Sequence, residues 1–232
     1  MPALRLAVFD MDGTLLDSLP DLAECCREIL AQCGLPLLSD AQVRTMIGNG
    51  VQVLVERGWQ AGLAQKEKEG GVTSTLPMSS GEAVSRFMAV DTPRATRLSR
   101  LFVGAEDALR ILHAQNWNLA VCTNKPEKAA RRILSDFNLG SLFAAVGGGD
   151  SFVARKPDAR HLLGTITQAG GVAARSVMVG DMSPDYLAAE GAECPFVFAR
   201  WGYGPAELAA RATADAAAMR DIPALLERIM PA

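Results

Sequence analysis

Val8-Phe9-Asp10-Met11-Asp12-Gly13-Thr14-Leu15-Leu16-Asp17-Ser18 closes an apolar run, Leu4 to Phe9, with two carboxylates spaced i, i+2, followed by glycine and threonine. In extended backbone alternate side chains point the same way at a spacing of roughly 6.6 Å, so Asp10 and Asp12 can face one small site. Two anions held that close repel each other unless a cation or a shared proton accompanies them. Taken alone, the stretch also fits a strand followed by a solvated Asx turn. The remainder of the chain decides between the two readings.

The 232 residues suffice for one α/β domain of ordinary size plus a smaller second unit. A hydrophobic content of 49% with 21% charged residues describes a globular protein, and the net charge of −3 without a basic run gives no nucleic-acid surface. The first strand begins by about Leu4, leaving no room for a cleaved leader, and no apolar run approaches the ~18 residues of a membrane span. A cytoplasmic protein is expected, with no nucleic-acid or membrane partner. Cys25, Cys26, Cys33, Cys122 and Cys194 form no CxxC pair and are odd in number, so buried free thiols are expected rather than a disulfide framework or a zinc site. His113 and His161 fall in helical stretches without a partner motif and read as structural or solvated.

After the opening strand, Ser18 predicts a helix N-cap, Pro20 suits the first turn and Gly34 the left-handed end. Ser39 to Gln42 reads as a capping box opening a short helix that stops near Gly48-Asn49-Gly50, and a third helix runs from about Val51 to Trp59. Residues 62–81, with Lys66-Glu67-Lys68-Glu69, two glycines and a Thr/Ser-rich segment, predict a solvated loop. Helical pattern resumes from about Gly81 to Val90 and, after Pro93, to Leu101. Residues 16–97 therefore read as a helical insertion, and residues 1–15 with 98–232 as the α/β core. In that core, apolar runs ending at Cys122, Val146, Val179 and Ala199 alternate with helices near 126–137, 159–169 and 222–230. Alternation of this kind predicts a Rossmann-like parallel sheet with helices on both faces.

The polar residues fall where those strands end. Asp10, Thr123 and Asp181 each follow a short apolar strand, and Lys156 lies on the connection leaving another. In open parallel sheets ligands bind outside the carboxyl ends of the strands, so separate segments deliver carboxylates, a hydroxyl and an amine to one edge.

Together, Asp10-Met11-Asp12-Gly13-Thr14, Thr123-Asn124, Lys156-Pro157 and Gly180-Asp181 through Asp185 resemble, in order and spacing, the four signature motifs of the haloacid dehalogenase superfamily. A helical insertion directly after the first motif resembles that superfamily's C1 cap arrangement. The resemblance implies that Asp10 is a nucleophile forming an aspartyl-phosphate and that Asp12 protonates the leaving alkoxide and then deprotonates water. It implies Mg²⁺ bound by Asp10, the Asp12 main-chain carbonyl and Asp181, with Thr123 and Lys156 on the phosphoryl oxygens. Asp185 orients Lys156 or the metal waters, or caps the helix starting at Pro184; Lys125 either touches phosphate or lies on a solvated face. Dehalogenases of the superfamily lack the second carboxylate, so Asp12 points away from halide displacement.

Arg44 to Val51, Cys122 to Pro126, Gly148 to Ser151, Arg155 to Asp158 and Trp201-Gly202-Tyr203-Gly204 resemble segments of phosphoglycolate phosphatases. That likeness implies a small phosphorylated metabolite, 2-phosphoglycolate, as substrate of a monomer or homodimer. Asn124 would then bind substrate, as would Asn49 and Gly50 on the insertion, although a Gly-Asn-Gly linker between helices explains the latter pair as well. A phosphomutase of the β-phosphoglucomutase type uses the same carboxylate pair, and a non-enzymatic binding module would retain only the fold. The chain departs from the family pattern at Met182 (usually serine), at Glu193 (usually glycine), at Val103-Gly104 (usually proline-glycine) and across 62–81.

Overall fold

Every residue of Arg5–Phe9 is buried, which requires a strand covered on both faces and paired on both edges. The computed structural model describes residues 4–70, 78–94 and 96–232. In chain order the elements are β1 (Arg5–Phe9), β2 (Leu16–Asp17), α1 (Leu19–Gln32), α2 (Asp40–Arg44), α3 (Val51–Lys68), α4 (Ser80–Arg94), β3 (Arg100–Leu101), α5 (Ala105–Ala114), β4 (Trp117–Cys122), α6 (Glu127–Asp136), β5 (Phe143–Gly147), α7 (Ala159–Gln168), β6 (Ser176–Gly180), α8 (Ser183–Gly191), β7 (Phe196–Ala199), β8 (Ala214–Ala216) and α9 (Ile222–Ile229). Met1–Asp17 with Arg100–Ala232 make one compact unit and Ser18–Ser99 another.

The first unit is built on a six-stranded sheet of order β5-β4-β1-β6-β7-β8, with every pairing parallel. Leu6 and Val8 of β1 join Ala120, Cys122, Met178, Leu162, Ile166 and Ala188 in one apolar cluster under α7 and α8. The alternate residues Ala7, Phe9, Leu119 and Val121 are equally buried, so both faces are covered. Phe9 stands opposite Val121 on one side and Val179 on the other. The residues one step beyond, Asp10, Cys122 and Gly180, therefore emerge at the same level of the sheet. From β1 the strand order runs in opposite directions towards β4 and β6, the switch point at which α/β sheets open a crevice.

The second unit consists of α1 to α4, with α1 packed on the other three and α3 on α4. The Ser39 capping box forms as the sequence implies, and Gly34 ends α1 at φ +60° with the Leu35 N–H on the Leu30 carbonyl. Ser18 stands at the N-cap of α1, but its hydroxyl makes no cap bond. The first-turn Asp21 instead accepts from the main-chain N–H groups of Leu98 and Ser99, joining the first and last segments of this unit.

Two expectations change. Residues 62–68, read as loop, continue α3: Gly58 and Gly62 lie one turn apart and bring α3 close against Cys26, Leu30 and Leu35, while Gln65 to Lys68 are good helix formers. Residues 71–77 of the same stretch lie outside the described residues, and Ser80–Gly81 already belong to α4. Leu16 and Asp17, read as the start of the insertion, pair antiparallel with Leu101 and Arg100 and stay with the sheet unit. Two residues per strand are too few to show a period of two, so this pairing left no trace in the hydrophobic pattern. All five cysteines are buried free thiols.

α8 ends with the Cys194 N–H on the Ala189 carbonyl and the exposed Glu193 at φ +52°. A left-handed residue with a Cβ costs about 1–2 kcal/mol, partly offset in a glycine variant by the entropy glycine adds to the unfolded chain. Glu193→Gly is expected to stabilise the protein by about 0.5–1 kcal/mol, seen as a higher denaturant midpoint at unchanged m-value.

Candidate active site

Asp10 continues β1 by donating its main-chain N–H to the Val179 carbonyl at 2.9 Å, and its carboxylate is buried. Lys156, 2% exposed, reaches it from the connection between β5 and α7. The Lys156 ammonium lies 2.9 Å from Asp10 Oδ1, 2.6 Å from Asp185 Oδ1 and 2.6 Å from the Cys122 carbonyl. Burial alone would depress the lysine, but Asp10 and Asp185 overcome it and hold the ammonium protonated above its ordinary range. Because Lys156 divides its charge between two carboxylates, it compensates neither fully. Burial and the neighbouring Asp185 push the Asp10 carboxyl up to about 7, with Lys156 pulling the other way.

Asp181, fully buried after β6, accepts from the Thr14 hydroxyl at 2.8 Å and from the Tyr203 N–H at 2.7 Å. Its carboxyl is raised well above the usual carboxylate range by burial, then by Asp185 and Asp10. Glycines make this approach possible. A Cβ on Gly13 would stand 2.4 Å from Asp181 Oδ2, and one on Gly202 2.3 Å from the Asp181 Cβ. Asp185 performs both roles left open above, one with each oxygen: Oδ1 holds Lys156 and Oδ2 accepts the Met182 N–H at 2.9 Å, capping α8.

Asp12 points elsewhere. Its Oδ2 lies 3.4 Å from the Lys125 ammonium, and its buried Oδ1 has no hydrogen-bond partner among the described residues. Lys125, read as a candidate for a solvated face, is only 4% exposed. The helix N-terminal turn that follows Thr123 turns it inward, its N–H donating to Thr123 Oγ1 at 3.2 Å. Thr123 itself is fixed by its N–H on the Gly147 carbonyl, and Asn124 donates to the Lys156 carbonyl at 3.0 Å. Thr123, Asn124 and Lys125 thus join the Asp10–Lys156 cluster to Asp12. Asn49 and Gly50 belong to the helical unit, where Gly50 precedes α3 at φ +85°.

The cluster fits an oxygen-seeking divalent cation. Among the described residues, Asp10, Asp181 and Asp185 offer oxygens within 4.8 Å of one another, all buried. Four carboxylates, counting Asp12, face two ammonium groups, leaving an excess of two negative charges. Hard divalent cations take such oxygen ligands. Asp185 gives one oxygen to the Lys156 charge and the other to the cap of α8, whereas the two oxygens of Asp181 each meet one neutral donor, Thr14 or Tyr203.

A sequence profile of haloacid dehalogenase-like hydrolases matches residues 7–199. The chain belongs to this family. A phosphoglycolate phosphatase of Vibrio cholerae is 34% identical over 230 residues, covering 99% of each chain, and one of Cereibacter sphaeroides is 39% identical over 197 residues, covering 84% of this chain and 85% of its own. Among solved structures, a predicted phosphoglycolate phosphatase from Haemophilus somnus superposes with a TM-score of 0.87 at 31% identity, covering 97% of this chain and 99% of its own.

In this haloacid dehalogenase-like hydrolase, His161 also takes part in the site's construction. Its Nδ1 accepts the Lys156 main-chain N–H at 3.0 Å, and its fully buried ring meets Phe152 edge-on with centroids 5.7 Å apart. Burial, then the Lys156 charge, lowers the imidazole to about 4. A lone histidine on a helix carried no signal of this; the i, i+5 spacing from Lys156 becomes meaningful only once the loop geometry is known. His113 is exposed.

Because the folded pKa of His161 lies below its unfolded value, its contribution to stability is complete above about pH 6.5 and is lost as pH falls towards 4. His161→Asn, which keeps an acceptor near Nδ1 but does not titrate, is expected to remove on the order of 3 kcal/mol of acid sensitivity across that window. The check is denaturant unfolding of both proteins at pH 7, 5.5 and 4, with the gap between them narrowing as pH falls.

Proposed function

We propose that this hydrolase is a Mg²⁺-dependent phosphatase of small acidic phosphomonoesters, with 2-phosphoglycolate as substrate. The observation that carries the reading is the buried Lys156 ammonium held between Asp10 and Asp185 beside Asp181, a site with a nucleophile, a fixed cation and a surplus of anionic oxygens. The relatives named phosphoglycolate phosphatase, one matching 99% of this chain and the other 84%, favour the particular substrate.

In this reading Asp10 Oδ attacks phosphorus in line with the ester oxygen, giving an acyl phosphate as the phosphorus–oxygen ester bond breaks. Asp12 gives its proton to the departing alkoxide and later takes one from the water that attacks the acyl phosphate, restoring Asp10 and releasing inorganic phosphate. Lys156 and Thr123 hold the phosphoryl oxygens, with Asn124 fixing the Lys156 segment and Lys125 facing Asp12. Asp10, the Asp12 main-chain carbonyl and Asp181 would hold Mg²⁺, whose charge would favour ionised Asp10 against its burial. Asn49 and Gly50 enter as substrate-binding residues of the inserted helical unit, which would act as a cap.

Phosphate release from 2-phosphoglycolate with Mg²⁺ tests the proposal directly. Asp10→Asn is expected to lower kcat by more than roughly 10³-fold, and equal release by wild type and variant would overturn the assignment. Faster conversion of a sugar 1-phosphate to its 6-phosphate than hydrolysis would assign a mutase instead. Without metal, at pH 8, Asp10→Asn is expected to raise Tm by roughly 2–4 °C, because burial and Asp185 disfavour the Asp10 charge more than Lys156 favours it. Asn49→Ala is expected to raise KM for 2-phosphoglycolate with little change in kcat, measured by steady-state kinetics.

A further inference from the structure

Asp181 is enclosed by a frame contributed largely by one loop, Trp201-Gly202-Tyr203-Gly204, directly after β7. The Trp201 indole N–H donates to the Thr14 carbonyl at 2.9 Å, while the Thr14 hydroxyl donates to Asp181 Oδ1. Gly202 lies against the Asp181 side chain, and a Cβ on Gly204 would stand 1.7 Å from the Asp181 carbonyl oxygen. Tyr203 differs from the other members of the frame because it has two anchored ends. Its main-chain N–H binds Asp181 Oδ2 at 2.7 Å, and its phenol donates to Asp17 Oδ1 at 2.8 Å. Its ring also meets Phe102, with centroids 6.5 Å apart.

The second anchor falls at a particular place in the chain. Asp17 pairs with Arg100 across the β2–β3 ladder, Leu16 with Leu101, and the Phe102 N–H closes on the Leu15 carbonyl at 3.0 Å. This strand pair is where the chain leaves the sheet unit and where it returns. Tyr203 therefore bridges Asp181 Oδ2, through its main-chain N–H, and Asp17 Oδ1, through its phenol. The path between the carboxylate and the strand pair is one residue long.

We propose that Tyr203 is a positioning residue that couples cation binding at Asp181 to the order of the β2–β3 pair. The proposal rests on the reading of Asp181 as a divalent-cation ligand. The coupling belongs to the phenol, whereas the main-chain N–H orients the carboxylate whatever the side chain. Removing the phenolic oxygen therefore separates the two functions: Asp181 keeps its donor, and the strand pair loses its tie to it.

The test is amide hydrogen exchange of the full chain with and without Mg²⁺, read at residues 15–17 and 100–102, alongside calorimetric Mg²⁺ titration. In the wild-type protein Mg²⁺ is expected to slow exchange at these amides. In Tyr203→Phe, Mg²⁺ still binds, within roughly threefold of wild-type affinity, but the Mg²⁺-induced protection falls roughly three- to tenfold, the loss expected for one hydrogen bond. Asp17→Ala is expected to match Tyr203→Phe, the double variant to lose no more than either alone, and Asp17→Asn, which keeps the acceptor oxygen, to restore the protection. In turnover, Tyr203→Phe lowers kcat with KM unchanged, whereas mere loss of stability would lower the active fraction without abolishing Mg²⁺-induced protection in the folded molecules. Undiminished protection in Tyr203→Phe overturns the coupling while leaving Asp181 as a ligand. Absence of Mg²⁺ binding to the wild-type protein overturns both.

Discussion

Four buried or nearly buried carboxylates, Asp10, Asp12, Asp181 and Asp185, converge at one end of a parallel sheet, where the Lys156 and Lys125 ammonium groups oppose them. Burial first, and then the charges of the neighbouring aspartates, raise the carboxyls of Asp10 and Asp181 above the usual carboxylate range. Such an arrangement persists only where the surrounding structure holds it. Here the covering is supplied by the sheet: β1 is buried along its whole length between β4 and β6. Stability in the core is set against a site that by itself favours neither folding nor neutrality.

The same constraint dictates where side chains are missing. Gly13, Gly202 and Gly204 leave no room for a Cβ against Asp181, and Gly13 is at φ +88°, where a side chain is strained in any case. A bulkier residue at Gly13 or Gly202 would collide with the Asp181 side chain, and one at Gly204 with the Asp181 main-chain carbonyl. Donors are matched to this enclosure. Thr14 and Tyr203 each give one hydrogen bond to Asp181, so burying it leaves neither oxygen unsatisfied while keeping both turned towards the site.

Much of this was legible in the residues themselves. The parallel sheet followed from short apolar runs alternating with helical periods, and the end of the sheet that gathers chemistry followed from where Asp10, Thr123, Lys156 and Asp181 fall. Chain positions that depend on pairing across distance were not legible. The two-residue strands at Leu16–Asp17 and Arg100–Leu101 have no period to read, and their pairing moved the boundary of the insertion from 16–97 to Ser18–Ser99. The sequence leaves Lys125 between a phosphate contact and a solvated face because its burial is set by how the turn after Thr123 points, and His161 is structural, as its sequence context allows, but its partner is a main-chain N–H, which has no sequence signature. Ser18 had the composition of a cap, yet its backbone enters α1 already helical and turns the hydroxyl away from the helix end.

Asp10 and Asp12 show how two chemically identical groups two residues apart acquire different surroundings. Asp10 lies against Lys156 within the group that includes Asp181 and Asp185, and its side chain is 7% exposed. Asp12 turns to a separate cation, Lys125, with its side chain 15% exposed and one oxygen left without a partner among the described residues. The i, i+2 spacing would place both on one side of a regular strand, but the last bond of β1 to its neighbour is made by the Asp10 N–H and the backbone turns at Gly13, so the pair diverges. One aspartate thereby lies in the anionic cluster with Asp181 and Asp185, and the other faces Lys125. Pairs of titratable groups whose environments have been driven apart are the arrangement from which separate nucleophile and acid–base roles arise, and in this chain the separation is set by which lysine each carboxylate faces.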